Sequence, residues 1–369
     1  MCVKMDVNLK LKNYLVPPGN GVFTVNTAKE RKDILHQQIF GTAIPGKVSK
    51  CFTDSLADES NFTKPMILGI CSDCGGGILR GANWGPLFIR KELYEAETGA
   101  EDFFDLGDIR VIPHLLHDKY LNSQTLKSCR SALFGDEDSQ LCVSPLSISY
   151  DLISSIYEQR PAAKLLFFGG DHSVSFPVTK AYLESKKRSG IKTAIIHFDA
   201  HTDLLDQRLG IDYCFGSWAY HILEDLPDPS HLIQVGIRSS GKEKSHWESK
   251  FGVVQYWAQE IKNVGAGAIA ESITTSLKSK GVEEIYISFD IDAIDSEYAS
   301  KTGTPEDQGL EPHQAHQIID KLCESFPLTG ADIVEVAPFI EASQKSSLSK
   351  DMTIEIAGEL ARKFLEKLK

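Results

Sequence analysis

The sequence predicts an α/β domain built on a mainly parallel sheet with helices over both faces, and three observations carry that prediction. From about residue 65 onward, short apolar runs alternate with longer helical patterns. The runs are apolar throughout rather than at every second residue, as in strands buried on both faces. Three of them stop at clusters of aspartate and histidine. Right-handed crossovers bring the carboxyl ends of such strands to one edge, where open α/β sheets bind ligands.

Residues 1–60 show no clear period and carry turn signals at Pro17-Pro18-Gly19-Asn20 and Pro45-Gly46. They read as an N-terminal extension that packs on, or arms out from, a catalytic domain of residues 61–369. Candidate strands are 66–71, 165–168, 193–198, 232–236, 253–257, 284–289 and 333–336. Candidate helices lie near 87–97, 149–159, 175–188, 266–280 and 312–325. Residues 120–145 read as a polar loop. In 351–368, Ile354, Ala357, Leu360, Ala361, Phe364, Leu365 and Leu368 recur on one helical face.

Bulk properties narrow the function classes. The 369 residues are 42% hydrophobic and 24% charged, with 51 acidic against 39 basic side chains and a net charge of −12. The basic residues are scattered, which argues against nucleic acid or an anionic membrane as a partner. An acidic chain suits a cationic substrate. No apolar run approaches the roughly 18 residues of a membrane span. Residues 1–20 lack a signal-peptide core, and the 8 cysteines are dispersed like reduced thiols, so a cytoplasmic location is expected. Cys71 and Cys74 form a C-x-x-C without the second pair that a zinc site needs, and read as structural.

The chemistry lies in three strand ends. The first runs through Gly169-Gly170-Asp171-His172-Ser173, the second through Asp199-Ala200-His201-Thr202-Asp203, and the third through Asp290-Ile291-Asp292. Side chains alternate along a strand, so each x-separated set projects to one side. The Gly-Gly pair lets the backbone turn tightly before His172. Together His172, Asp199, His201, Asp203, Asp290 and Asp292 offer four carboxylates and two imidazoles. One zinc ion takes three or four protein ligands, whereas bridging carboxylates suit two divalent ions about 3.5–4 Å apart. Each acid alone is equally well read as a cap on the turn after its strand. Four anions at one sheet edge, however, repel without cations. This ligand mix favours Mn²⁺ and admits Ni²⁺ or Co²⁺. Two such ions lower the pKa of a shared water, which predicts a metal-assisted hydrolase.

These segments resemble the signatures of the ureohydrolase family, which includes arginase, agmatinase, guanidinobutyrase, formimidoylglutamase and guanidine hydrolase. Gly81, Gly85-Pro86 and Ile89-Arg90, then Thr302-Gly303-Thr304-Pro305 with Gly309-Leu310, and Asp332-Ile333-Val334-Glu335-Val336 resemble its flanking motifs. The resemblance spans residues 65–369. It implies a three-layer α/β/α arginase-like fold with an eight-stranded, mainly parallel sheet, assembled as a homotrimer or homohexamer. It also implies that His172, Asp199, Asp203 and Asp290 hold one ion. Asp199, His201, Asp290 and Asp292 would hold the other, with Asp199 and Asp290 bridging. A hydroxide between the ions would attack the carbon of a small guanidino substrate, releasing urea and an amine, or ammonia from guanidine. Glu335 would pair with the guanidinium N–H groups, the alternative being a strand-end acid in a stabilising salt bridge.

One departure stands out. The family usually carries a proton-shuttling His-Gly pair downstream of the second segment, and here Phe215 precedes Gly216. Phenylalanine transfers no proton. His221, six residues on, is either a substitute shuttle or a packed helix residue beside Trp218 and Tyr220. Cys214 either borders the pocket or is a small buried thiol. Tyr213, Phe215 and Trp218 are expected to narrow the pocket or stack on a planar cation, making Trp218 a candidate substrate contact. A compact substrate fits that expectation. Residues 80–84 lack the polar cluster that reads an α-amino acid head group, which argues against arginase proper. Two other classes compete. Phe215 motivates a catalytically silent, metal-binding member with an assembly or regulatory role. A single-metal deacetylase-like enzyme would need a His-His pair that Gly169-Gly170-Asp171-His172 does not supply.

Overall fold

In the computed structural model, which describes residues 6–22, 27–95, 102–341 and 351–369, nine strands form one sheet. They are β1 (Leu15–Val16), β2 (Met66–Ile70), β3 (Phe104–Ile109), β4 (Leu165–Gly169), β5 (Thr193–Phe198), β6 (Leu232–Ile237), β7 (Val254–Trp257), β8 (Glu284–Asp290) and β9 (Leu328–Val334). Their order is β1-β3-β2-β4-β9-β8-β5-β6-β7. Every pairing is parallel except the two-residue β1 on β3, so the expected eight parallel strands are β2 to β9. The chain enters the centre at β4, jumps to β5, builds outward to β7, and returns to insert β8 and β9 between them. This reversal gathers the ends of β4, β9, β8 and β5 side by side, the arrangement at which open sheets form crevices.

Successive side chains of the buried central strand β5 face opposite layers. Ala194, Ile196 and Phe198 join one core cluster, with the helices Ala266–Ser279, Pro312–Ser325 and Thr353–Leu368. Ile195 joins the other, with the helices Val7–Tyr14, Pro145–Gln159 and Ser175–Ser189. Three layers follow, since each face of the sheet must bury its apolar row against a helix stripe. Among the described residues no helix is long and apolar enough to cross a membrane.

Several elements differ from the sequence expectation. β9 begins at Leu328, not at residue 333, because Thr329, Gly330 and Asp332 interrupt the apolar run although all of it is buried. β3 carries Asp105 and Asp108, whose burial is made tolerable by Arg90. The guanidinium meets Asp105 at 2.8 Å and Asp108 at 2.5 Å. Within the supposed loop 120–145 lies the helix Ser123–Phe134, which buries no residue and so shows no apolar stripe. Its ends are set locally: Asn122 accepts from the Thr125 N–H, and Gly135 closes the helix in the left-handed region. The helix near 87–97 spans Gly85–Glu95, and positions 96 and 97 lie outside the described residues.

Residues 6–16 are stitched into the domain rather than draped over it. Val7, Leu11, Tyr14 and Leu15 are buried with the sheet. Lys10 Nζ donates to Asp151 Oδ1 at 2.6 Å, Tyr14 Oη–H donates to Asp151 Oδ2 at 2.8 Å, and the Cys142 N–H donates to Tyr14 Oη at 2.9 Å. Tyr14→Phe is expected to destabilise the fold by about 1–2 kcal/mol, because a charged acceptor and a backbone donor both lose a buried partner. Urea unfolding measures this, and an unchanged midpoint would show that the hydroxyl contributes nothing.

Candidate metal centre

His172 follows β4 in a short turn that Asp171 caps through the Ser173 N–H at 2.8 Å. The preceding Gly170 is required by close approach rather than by a turn: a Cβ there would sit 1.6 Å from the Ser72 carbonyl oxygen. His172 is buried, and its Nδ1 has no hydrogen-bond partner. Three carboxylate oxygens surround that nitrogen, Asp199 Oδ2 at 3.1 Å, Asp203 Oδ2 at 3.2 Å and Asp290 Oδ2 at 3.0 Å. Donors about 2.1 Å from one cation and at right angles to each other lie about 3.0 Å apart, so these contacts are the edges of a coordination polyhedron. His201 forms a second group, with Nδ1 at 3.3 Å from Asp199 Oδ1 and 3.1 Å from Asp292 Oδ2. Asp199 therefore turns one oxygen to each group. Asp290 gives Oδ2 to the first, while its Oδ1 accepts from the Asp292 N–H at 2.9 Å.

An orphaned buried nitrogen facing three carboxylates, beside a carboxylate divided between two sites, fits a pair of divalent cations. The electrostatics agree. Burial raises the carboxyl pKa of Asp203, with Asp199 adding to it. Burial, then Asp292 and Asp199, lift Asp290 well above the usual carboxylate range. Anions this crowded are stable only with protons or cations among them. Asp203 also holds φ at +50°, and Glu335 holds +63°. Left-handed backbone in a non-glycine residue costs on the order of 1–3 kcal/mol and is tolerated where the surroundings over-determine it.

A row of buried polar side chains crosses the sheet one layer beneath these ligands. Asp332 accepts from Tyr286 Oη at 2.7 Å and from Ser288 Oγ at 2.8 Å. Because Ser288 donates to Asp332, its oxygen accepts from His172 Nε2 at 3.1 Å. This leaves the Nδ1 lone pair of His172 for a cation, the way outer carboxylates orient metal-binding histidines. His197 lies on the same row, 2.7 Å from Asp199 Oδ2, and its ligand atoms fall within 4.8 Å of those of His172, Asp199 and Asp203. Sequence reasoning began the alternation at Asp199 and missed it. The same two-residue period, extended one step back, reaches His197.

Two candidate residues lie in packed surroundings. Trp218 is fully buried, stacked on His172 at 4.9 Å and edge-on to His197 at 4.8 Å, so it packs the histidines and presents no face to a solute. His221 is not beside the acids. It sits among Phe176, Tyr213 and Tyr220, and its Nε2–H is engaged by the Asp212 carbonyl at 2.9 Å. The four-residue helix Trp218–His221 sets it against Phe176 and Tyr213.

Phe215 does reach the site's mouth. It lines a cleft of about 500 Å³ with Gly75, Gly77, Tyr213 and Arg208, whose guanidinium lies 5.1 Å from its ring. A Cβ on Gly77 would meet Thr304 at 3.5 Å and Phe215 at 3.7 Å, and Thr304 Oγ1 donates to Asp292 Oδ2 at 3.0 Å. The cleft thus adjoins the second ligand group. Glu335 is buried, accepts from the His172 N–H through Oε1 at 2.8 Å, and directs Oε2 toward Gly303, where a Cβ would come within 3.0 Å. Burial, with Asp290 and Asp171 close by, raises its carboxyl well above the usual range.

Residues 63–365 match the model of the arginase family. The mitochondrial agmatinase of Gallus gallus is 32% identical over 301 residues, covering 76% of each chain. The mitochondrial guanidino acid hydrolase of Homo sapiens is also 32% identical, over 76% of this chain and 73% of that one. Among solved structures, a hypothetical agmatinase from Burkholderia thailandensis superimposes with a TM-score of 0.61 at 25% identity, covering 82% of this chain and 85% of that one. Formimidoylglutamase from Bacillus subtilis shares the fold with a TM-score of 0.66 at 22% identity, over 84% and 88%.

Proposed function

The chain belongs to the arginase family, and on that premise we propose that it is a metal-dependent amidinohydrolase that cleaves a C–N bond of a small cationic guanidino compound. The products are urea and an amine, or ammonia from guanidine itself. His172, Asp199, Asp203 and Asp290 would hold one divalent cation, and His201 and Asp292, with Asp199 and Asp290, would hold the other. The observation that carries this reading is the division of Asp199 between the two donor groups. An all-oxygen-and-nitrogen donor set suits Mn²⁺ first, then Ni²⁺ or Co²⁺.

When bound, two such ions supply Lewis acidity and a hydroxide near neutral pH. The protein's own groups then orient the substrate. Glu335 Oε2 accepts the guanidinium N–H groups in a charge-assisted contact. Phe215 offers a flat ring to a planar cation at the entrance, whereas Tyr213 already stacks on Phe176 at 4.4 Å with Lys119 Nζ 3.7 Å from its ring. Every one of these groups lies beyond residue 60, so residues 1–60 are assigned as an extension to the catalytic domain. Seven described cysteines are free, in keeping with a reducing, cytoplasmic setting. A homotrimer or homohexamer follows the family pattern.

Phe215 in place of a proton-transferring histidine favours one alternative, a metal-binding member that does not turn over. Urea release over a panel of guanidino acids, agmatine and guanidine, with Mn²⁺ or Ni²⁺ loaded and counted, separates the two. Turnover of any member supports hydrolysis. No turnover with both positions filled supports the silent reading.

Metal loading itself carries a pH prediction. Burial raises the carboxyl groups of Asp203 and Asp290 above their ordinary values, so protons compete with a cation for them. Binding of Mn²⁺ is expected to release protons and to weaken as pH falls. A pH-stat titration reads the release, and a titration without it contradicts the shared-acid site.

A further inference from the structure

The polar row beneath the ligands continues past His197 in a direction that the metal site alone does not explain. His197 on β5, Gln234 on β6 and Gln255 on β7 are direct cross-strand partners, and all three are fully buried. Their hydrogen bonds leave one consistent set of directions. Trp257 Nε1–H is a donor only and meets Gln255 Oε1 at 2.9 Å. The other end of that amide, Gln255 Nε2, donates to Gln234 Oε1 at 2.8 Å. Gln234 Nε2 consequently faces inward, 2.6 Å from the Thr202 carbonyl and 2.9 Å from His197 Nδ1. The Thr202 carbonyl has no proton to give, so the amide orientation is set twice over. A donor at Nδ1 leaves the imidazole proton on Nε2, which points at Asp199 Oδ2. Trp218 and His172 pack edge-on against the ring, with centroids 4.8 and 5.1 Å away.

We propose that Gln234 is a positioning residue which, held by Gln255, Trp257 and Thr202, fixes His197 as the Nε2–H tautomer, so that His197 donates to Asp199 and stays outside the coordination sphere. The proposal rests on the metal reading above. It assigns His197 a different job from the ligand role that its proximity to His172 and Asp203 suggests. A histidine with Nδ1 occupied and Nε2 protonated has no lone pair for a cation. Its donated proton steadies the carboxylate that both ions would share, from a rail anchored two strands away.

Neutron diffraction from the Mn²⁺-loaded protein in D₂O reads the tautomer directly. Deuterium on Nε2 and none on Nδ1 is expected, and deuterium on Nδ1 overturns the proposal. Ions found away from His172 and Asp199 would bring down the metal assignment and the proposal with it, a failure distinct from the wrong tautomer. Chelator competition supplies the second readout. Gln234→Leu and His197→Phe are each expected to weaken Mn²⁺ binding by about 10–100-fold. Because Gln234 acts through His197, the double variant should bind no more weakly than His197→Phe alone. Additive losses, or unchanged affinity in Gln234→Leu, overturn it. Should Gln234→Leu fail to fold, the tautomer in the unaltered protein still decides.

Discussion

Asp199→Asn is expected to strip both cations and abolish turnover while the fold persists. Its two oxygens face the two donor groups: Oδ2 lies 3.1 Å from His172 Nδ1, and Oδ1 lies 3.3 Å from His201 Nδ1. An amide offers one oxygen in place of two and carries no charge. Removing one partner from a buried ionic cluster costs about 3–5 kcal/mol, on the order of 10³-fold in each affinity. The remaining acids make the loss asymmetric for folding. Burial raises Asp203 and Asp290 and the Asp199 charge raises them further, so neutralising Asp199 relieves that repulsion, while His197, His172 and His201 lose the anion they hold. Metal analysis after gel filtration and a thermal melt check both halves. Retention of both ions at wild-type stoichiometry would remove Asp199 from the bridging position.

Glu335→Gln is the second large effect, and it separates substrate recognition from metal binding. The glutamine oxygen can still accept from the His172 N–H, now held at 2.8 Å, so the ligand turn keeps its support. What disappears is the negative charge available to a guanidinium at Oε2. Truncating one side of a buried, hydrogen-bonded charge pair costs about 2–5 kcal/mol, so kcat/KM should fall on the order of 10²–10³-fold with both ions retained. Kinetics on the best panel substrate, alongside metal counting, measures it. A loss of metal in step with activity would assign Glu335 to the support of His172 instead.

The two predictions draw on residues that the linear pattern exposes to very different degrees. Asp199, His201 and Asp203 announce themselves by alternation, because a strand places every second side chain on one face and these follow an unbroken apolar run. Glu335 was visible only through motif resemblance; alone it looks like any acid after a strand. His197 sits in the same alternation yet reads as a core histidine, since nothing local reveals that Gln234 and Gln255 stand beside it on neighbouring strands. The helix Ser123–Phe134 was illegible for the opposite reason: it buries no face, so no apolar period marks it.

By itself the sequence determined the layered α/β class, the six clustered acids and histidines at the strand ends, and the chemistry that such a cluster implies. These are local properties, set by residue type and by the two- and 3.6-residue periods. Only the tertiary structure decided that Trp218 packs behind His172, that His221 turns away toward Tyr213, and that His197 joins a row of amides. Each depends on which strand lies beside which, and pairing order is settled by burial summed over the whole sheet rather than by any segment of it.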